Sequence, residues 1–93
     1  MEISVEDLLK LPNPNIIDIR PGQKYNDNHI PGAINIRFAT LMNVPERYLN
    51  KNETYYIYCQ VGMTSLHASQ VLRVKGYKVI SIKGGYEAYI LGK

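Results

Sequence analysis

Cys59 is the only cysteine of the chain and the side chain best suited to covalent chemistry. It follows an apolar, tyrosine-rich run at residues 55–58 that predicts a buried strand, and residues 66–75 then show helical spacing. A strand that ends in a nucleophile, turns and opens a helix recurs in covalent catalysis, because the helix start supplies unpaired N–H groups. We therefore predict that Cys59 is a nucleophile whose pKa lies below the ordinary thiol value of about 8.5.

The segment between this strand and this helix is the predicted substrate-binding loop. It contains one glycine and two hydroxyl residues, in the order Gln60, Val61, Gly62, Met63, Thr64 and Ser65. Its backbone N–H groups are expected to surround an anionic sulfur. Gly62 fits a turn, room for a substrate, or both. The hydroxyls of Thr64 and Ser65 fit either hydrogen bonds to sulfur or capping of the helix, and the sequence leaves both open.

Three other uses of the cysteine agree less well with the sequence. A Cys–His hydrolase would need His29 or His67 as its base. We expect His29 to hydrogen-bond the backbone of a bend and His67 to be solvated. A phosphatase needs an arginine six positions after the cysteine, and Ser65 stands there. A lone cysteine is often only a small core residue, but its place between strand and helix favours catalysis.

Length and composition predict one domain over residues 1–93, with no metal site and no disulfide. A single cysteine and the lack of a Cys/His cluster fit a reducing, cytoplasmic location. No apolar run approaches 18 residues and the first residues do not resemble a signal peptide, so we expect no membrane association. The net charge of +3 comes from scattered basic residues, which argues against nucleic-acid binding but suits a small anionic substrate.

Strand and helix patterns alternate along the chain. They predict an α/β fold with a mostly parallel central sheet of four to five strands and helices on both faces. Strands are predicted at residues 15–19, 33–36, 55–58 and 78–82, and helices or helical turns at 23–27, 38–42, 45–49, 66–75 and 86–91. A first helix is predicted to start at residues 4–7 and to stop before Pro12, because Leu11 is pushed toward extended geometry. We expect Asn28 to close the second helix in a left-handed conformation, and Gly76 to end the long helix with Tyr77 packed on Leu72. Such sheets bind ligands at the carboxyl ends of their strands, where Cys59 is placed.

Three segments together resemble the rhodanese-like sulfurtransferase domain over nearly the whole chain. They are Asp18-Ile19-Arg20 with Tyr25 and residues 29–36, then residues 59–65, and finally Gly84-Gly85 with the aromatic Tyr89. The loop departs from the family at Gln60 and Thr64, where arginine is common. Anion recognition by guanidinium groups is therefore missing from the loop.

The resemblance implies a single-domain rhodanese that moves a sulfane sulfur through a persulfide on Cys59, without a cofactor. Its partners would be a small sulfur donor (thiosulfate, a persulfide or a polysulfide), a thiol or cyanide acceptor, and a sulfur-relay protein. The missing arginines predict that thiosulfate is the poorer donor, unless Arg20 or Lys83 supplies the charge. The alternative is a non-catalytic or redox-sensing rhodanese-like binding module.

Overall fold

A computed structural model describes residues 1–92 of the chain. Within them, one five-stranded sheet has the order β1-β5-β4-β2-β3, and every pairing is parallel. The strands are β1 (Glu2–Ile3), β2 (Asn15–Asp18), β3 (Ile34–Asn35), β4 (Thr54–Tyr58) and β5 (Lys78–Ile82). The predicted α/β fold is confirmed, with β4 at the centre. The sequence did not predict β1, because two residues are too short to show a pattern.

Helices cover both faces of the sheet, as predicted. They are α1 (Val5–Leu8), α2 (Gly22–Asp27), α3 (Phe38–Asn43), α4 (Met63–Val74) and α5 (Gly85–Leu91), with a 3-10 turn at Pro45–Arg47. Strand β4 alternates between the two faces: Ile57 packs with residues of α3 and α4, and Tyr58 packs with residues of α1 and α5. Both side chains are fully buried, and burying one of this size contributes roughly 1.5–3 kcal/mol. No helix within residues 1–92 has the length and apolar character needed to cross a membrane.

Helix α4 begins three residues earlier than predicted because Gly62 reverses the chain directly after Val61. Gly62 has a φ of 97°, and its carbonyl accepts the first helical hydrogen bond, from the Leu66 N–H at 3.1 Å. The other end follows the prediction. Gly76 has a φ of 99°, and the Tyr77 N–H donates to the Leu72 carbonyl at 3.0 Å, which is a Schellman motif.

The prediction for Asn28 was wrong. Its φ of −170° and ψ of 148° are extended rather than left-handed. The Asn28 carbonyl accepts a 2.6 Å hydrogen bond from Arg20 Nη2, and this contact favours the extended conformation. The left-handed residue of the following bend is Gly32, with a φ of 88°. The predicted strand at residues 33–36 shortens to Ile34–Asn35, because the Ala33 N–H donates to the Ile30 carbonyl in a turn.

Candidate active site

Cys59 lies directly after β4, at the carboxyl edge of the sheet and in front of the first turn of α4. Its sulfur accepts hydrogen bonds from two backbone groups, the Gly62 N–H at 3.1 Å and the Ser65 N–H at 3.3 Å. The Ser65 hydroxyl lies 3.5 Å from the same sulfur. The residue is only 7% exposed, so the thiol faces polar hydrogens rather than bulk water.

These hydrogen bonds decide the ionisation of the thiol. Burial alone raises the pKa of Cys59, because it disfavours the thiolate. The Ser65 hydroxyl and the N–H groups of Ser65, Gly62 and Val61 act in the opposite direction and outweigh it. The pKa of Cys59 is therefore lowered from its ordinary value, which is the direction that the sequence predicted.

The loop has two sides. Its inner side consists of the Cys59 sulfur, Gly62 and Ser65, all of them buried. Its outer side consists of Val61, Met63 and Thr64, which are exposed; Met63 is 77% exposed. Ser65 hydrogen-bonds the sulfur instead of capping α4, whereas the Thr64 side chain makes no hydrogen bond within residues 1–92. The structure thus separates two hydroxyls that the sequence treated alike.

A second segment, Gly84-Gly85 at the start of α5, braces the loop from behind. The Tyr86 N–H donates to the Cys59 carbonyl at 2.9 Å, and the Glu87 N–H donates to the Gln60 carbonyl at 3.0 Å. A Cβ on Gly85 would collide with the Cys59 carbonyl oxygen, and a Cβ on Gly62 would lie 2.9 Å from the Gly84 nitrogen. Gly62 therefore serves both a turn and a close backbone approach, although what it approaches is α5.

Arg20 lies beside the loop, and most of its guanidinium N–H groups already have protein acceptors. It pairs with Asp18 at 2.8 Å, donates to Gln60 Oε1 at 3.1 Å, and lies 4.1 Å from the centre of the Tyr86 ring. Arg20 is 5% exposed. It therefore holds Gln60 in place, and its charge is already paired with Asp18. Lys83, the other basic residue considered from the sequence, is exposed immediately after β5.

Comparison with known proteins agrees with this geometry. The family model of the rhodanese-like domain matches residues 3–91. The chain belongs to this family. It is 35% identical over 81 residues to thiosulfate sulfurtransferase PspE of Escherichia coli (strain K12), covering 83% of this chain and 75% of that protein.

Two further similar proteins are a much longer relative and a protein of known structure. The chain is 32% identical over 88 residues to a tRNA sulfurtransferase of Desulfurococcus amylolyticus; the match covers 94% of this chain and 17% of that protein. It thus spans about a sixth of that relative. The crystal structure of SSP1007 from Staphylococcus saprophyticus subsp. saprophyticus has a TM-score of 0.85 and 33% identity, covering 96% of this chain and 93% of that one.

The histidines of this rhodanese-like domain take structural or solvated positions, as predicted. His29 Nδ1 lies 2.9 Å from the Tyr25 carbonyl oxygen, and the two rings stack with centroids 3.9 Å apart. His67 is exposed on α4. Neither histidine hydrogen-bonds Cys59.

Sequence reasoning missed one polar residue of the site, Ser81 on β5. Its hydroxyl lies 2.7 Å from the Ser65 hydroxyl, and both side chains are fully buried. Ser81 pairs in register with Ile57, two residues before Cys59 on the neighbouring strand. A signal was present: Ser81 occupies the same side of β5 as the buried Val79, a position where an apolar residue is usual.

An apolar groove lies elsewhere on the protein. It measures about 430 Å³ and lies between α1, the bend before β3, and α5. Its lining is mainly apolar and contains no residue of 59–65. Chemistry rather than cavity size therefore locates the candidate site.

Within residues 1–92, no group of three or more His, Cys, Asp or Glu side chains is arranged to hold a metal ion.

Proposed function

We propose that residues 1–93 form one rhodanese-like domain with sulfurtransferase activity, which moves a sulfane sulfur through a persulfide on Cys59. The observation that carries the proposal is the set of hydrogen bonds to the Cys59 sulfur from the Gly62 and Ser65 N–H groups, which favours the thiolate. The names of the relatives, thiosulfate sulfurtransferase and tRNA sulfurtransferase, support the same class of activity.

The reaction has two steps. In the first, the Cys59 thiolate forms a bond to the outer sulfur of the donor, while the donor's own bond to that sulfur breaks. The leaving group, a thiolate or sulfite, departs with the electron pair. In the second, a thiol or cyanide acceptor takes the outer sulfur from the persulfide, and the Cys59 thiolate returns. The cycle is balanced without a metal, an organic cofactor or an external oxidant.

The loop N–H groups have the same role in both steps. The outer sulfur of a persulfide is anionic at neutral pH, and N–H groups directed at one point stabilise such an anion. The buried Ser65 contributes a hydroxyl from the inner side.

The donor and the acceptor contact the outer surface of the loop, which consists of Gln60, Val61, Met63 and Thr64. That acceptor is a small thiol, cyanide or a cysteine of a sulfur-relay protein.

The donor that suits this loop best is a persulfide or polysulfide. Thiosulfate is a small dianion, and no cation in the loop pairs with it. Arg20, which contacts the loop at Gln60, already donates to Asp18, Gln60 and Asn28. A singly charged persulfide depends less on guanidinium groups and more on backbone N–H groups, which this loop has.

Mass spectrometry of the intact protein after exposure to each donor tests the proposal. Cys59 should gain one sulfur, most readily from a persulfide, and release it when cyanide or a thiol is added. Cys59→Ser should show no gain while keeping the circular dichroism spectrum of the wild type. A wild-type protein that gains no sulfur from any donor, or oxidises at Cys59 without transferring sulfur, would favour a redox-sensing or purely binding module instead.

A further inference from the structure

Ser65 has one hydroxyl proton and three polar neighbours. Its oxygen lies 3.2 Å from the Gly62 carbonyl oxygen, 2.7 Å from Ser81 Oγ and 3.5 Å from Cys59 Sγ. One proton serves one acceptor at a time, so the direction of each contact matters. The shortest contact, to Ser81, constrains the other two.

Burial fixes the direction of that contact. The Ser81 side chain is fully buried, and Ser65 Oγ is the only hydrogen-bond partner of its hydroxyl within residues 1–92. If Ser65 donated to Ser81, the Ser81 proton would be buried without an acceptor, which is costly. Ser81 therefore donates to Ser65. The Ser65 proton is left for the Gly62 carbonyl or for Cys59.

We propose that Ser81 is a positioning residue, which acts through Ser65 to direct a hydroxyl proton toward the Cys59 sulfur. When Cys59 is a thiol, its S–H donates to Ser65 Oγ, and Ser65 donates to the Gly62 carbonyl. When Cys59 is a thiolate, the Ser65 proton turns to the sulfur, and Ser81 becomes the one remaining donor to Ser65. Ser81 thus stabilises the thiolate more than the thiol, since a donated hydrogen bond polarises the next one in the chain.

The hydrogen bonds from Ser81 to Ser65 and from Ser65 to the Cys59 sulfur form a relay. No charged group of residues 1–92 around the loop takes over its effect on the thiolate. Arg20 pairs with Asp18 and contacts Gln60, while His67 on α4, Lys83 after β5 and Glu87 on α5 are exposed. Hydrogen bonds are the chief cause that lowers the pKa of Cys59. The inference rests on the proposed function for the use of Cys59. The ionisation of the thiol can be measured without any sulfur donor.

The test is the rate of iodoacetamide alkylation against pH, which reports Cys59 alone because the chain has one cysteine. Ser65→Ala should raise the titration midpoint by about one unit, and Ser81→Ala by roughly half a unit. The matched control is Ser69→Ala. Ser69 is another fully buried serine of α4, but its hydroxyl bonds only the Leu66 carbonyl, and its loss should leave the midpoint unchanged.

The double variant Ser65→Ala/Ser81→Ala separates a relay from a packing effect. If Ser81 acts through Ser65, the double variant has the midpoint of Ser65→Ala alone. An equal shift from Ser81→Ala in both backgrounds, or no shift in the wild-type background, would overturn the proposal. Ser81→Thr keeps the hydroxyl and should keep the wild-type midpoint. Should alkylation follow these expectations while no donor loads Cys59 with sulfur, the relay stands and the proposed function fails.

Discussion

The inner and outer sides of the loop at residues 60–65 differ in burial and in hydrogen bonding. The inner side, with Gly62 and Ser65, is buried, and its polar groups hydrogen-bond the Cys59 sulfur. The outer side, with Val61, Met63 and Thr64, is exposed and carries no charge. Under the proposed function, the inner side favours the thiolate, and the outer side is the surface that the donor and the acceptor contact. Substitutions on the two sides should therefore change different measurements.

The largest effect is expected from the brace behind the inner side. Gly85→Ala forces a left-handed alanine and drives its Cβ into the Cys59 carbonyl oxygen. The backbone strain costs about 1–2 kcal/mol and the overlap roughly 1–3 kcal/mol more. The free energy of unfolding, measured with denaturant, should fall by the sum of the strain and the overlap. Sulfur loading of Cys59 should fall sharply.

Gly32→Ala is the matched control for that variant. Gly32 has a φ of 88°, but no atom lies within 4 Å of an added Cβ. Its free energy of unfolding should fall only by the backbone strain, about 1–2 kcal/mol, and Cys59 should still be loaded with sulfur. Equal losses in the two variants would show that α5 does not brace the loop.

The next effect is the pH dependence of the inner side. Below the pKa of Cys59, alkylation should fall about tenfold per pH unit, and the midpoint should lie below the ordinary thiol value, because hydrogen bonds to the sulfur lower the pKa of Cys59. Since the folded pKa is lower than the unfolded one, the ionised thiol stabilises the fold at high pH. This contribution is lost as the pH falls through the folded pKa. A midpoint at or above the ordinary thiol value would contradict the hydrogen-bonded site.

A smaller effect should follow from adding charge to the outer side. Thr64→Arg places a guanidinium on an exposed position, where a charge pair contributes about 0.2–1 kcal/mol. The kcat/KM for thiosulfate should rise roughly twofold to fivefold, with little change for a persulfide. Thr64→Gln is the neutral control, and high salt should remove the gain. The donor preference is wrong if thiosulfate is already the better donor in the wild type.

The smallest effect is expected at Met63. Met63→Ala removes exposed apolar surface from the outer side of the loop and removes no side-chain hydrogen bond. The KM for a small donor should rise by about twofold with kcat unchanged, because uniform binding is lost. The alkylation midpoint should stay at the wild-type value. A shifted midpoint would mean that the two sides of the loop are not independent.

Local patterns were sufficient to predict most of the fold and the place of Cys59. The strand, the loop and the end of α4 at Gly76 each depend on neighbours in sequence, so periodicity and glycine positions reveal them. Ser81 was missed because its meeting with Ser65 depends on β5 lying beside β4, which is a non-local pairing. The left-handed conformation predicted for Asn28 was wrong for the same reason. Its carbonyl accepts a hydrogen bond from Arg20, a contact that local sequence patterns do not reveal.

The N–H groups that α5 directs at the Cys59 and Gln60 carbonyls have a consequence for biosynthesis. Residues 84–87 leave the ribosome after residues 59–65, and the parallel pairing of β1 with β5 also awaits the later part of the chain. Contacts between distant segments form slowly in folding. A nascent chain that has exposed its cysteine therefore still lacks the backbone support of the loop. We therefore expect the lowered pKa of Cys59 to be established only after α5 has been synthesised and has docked behind the loop.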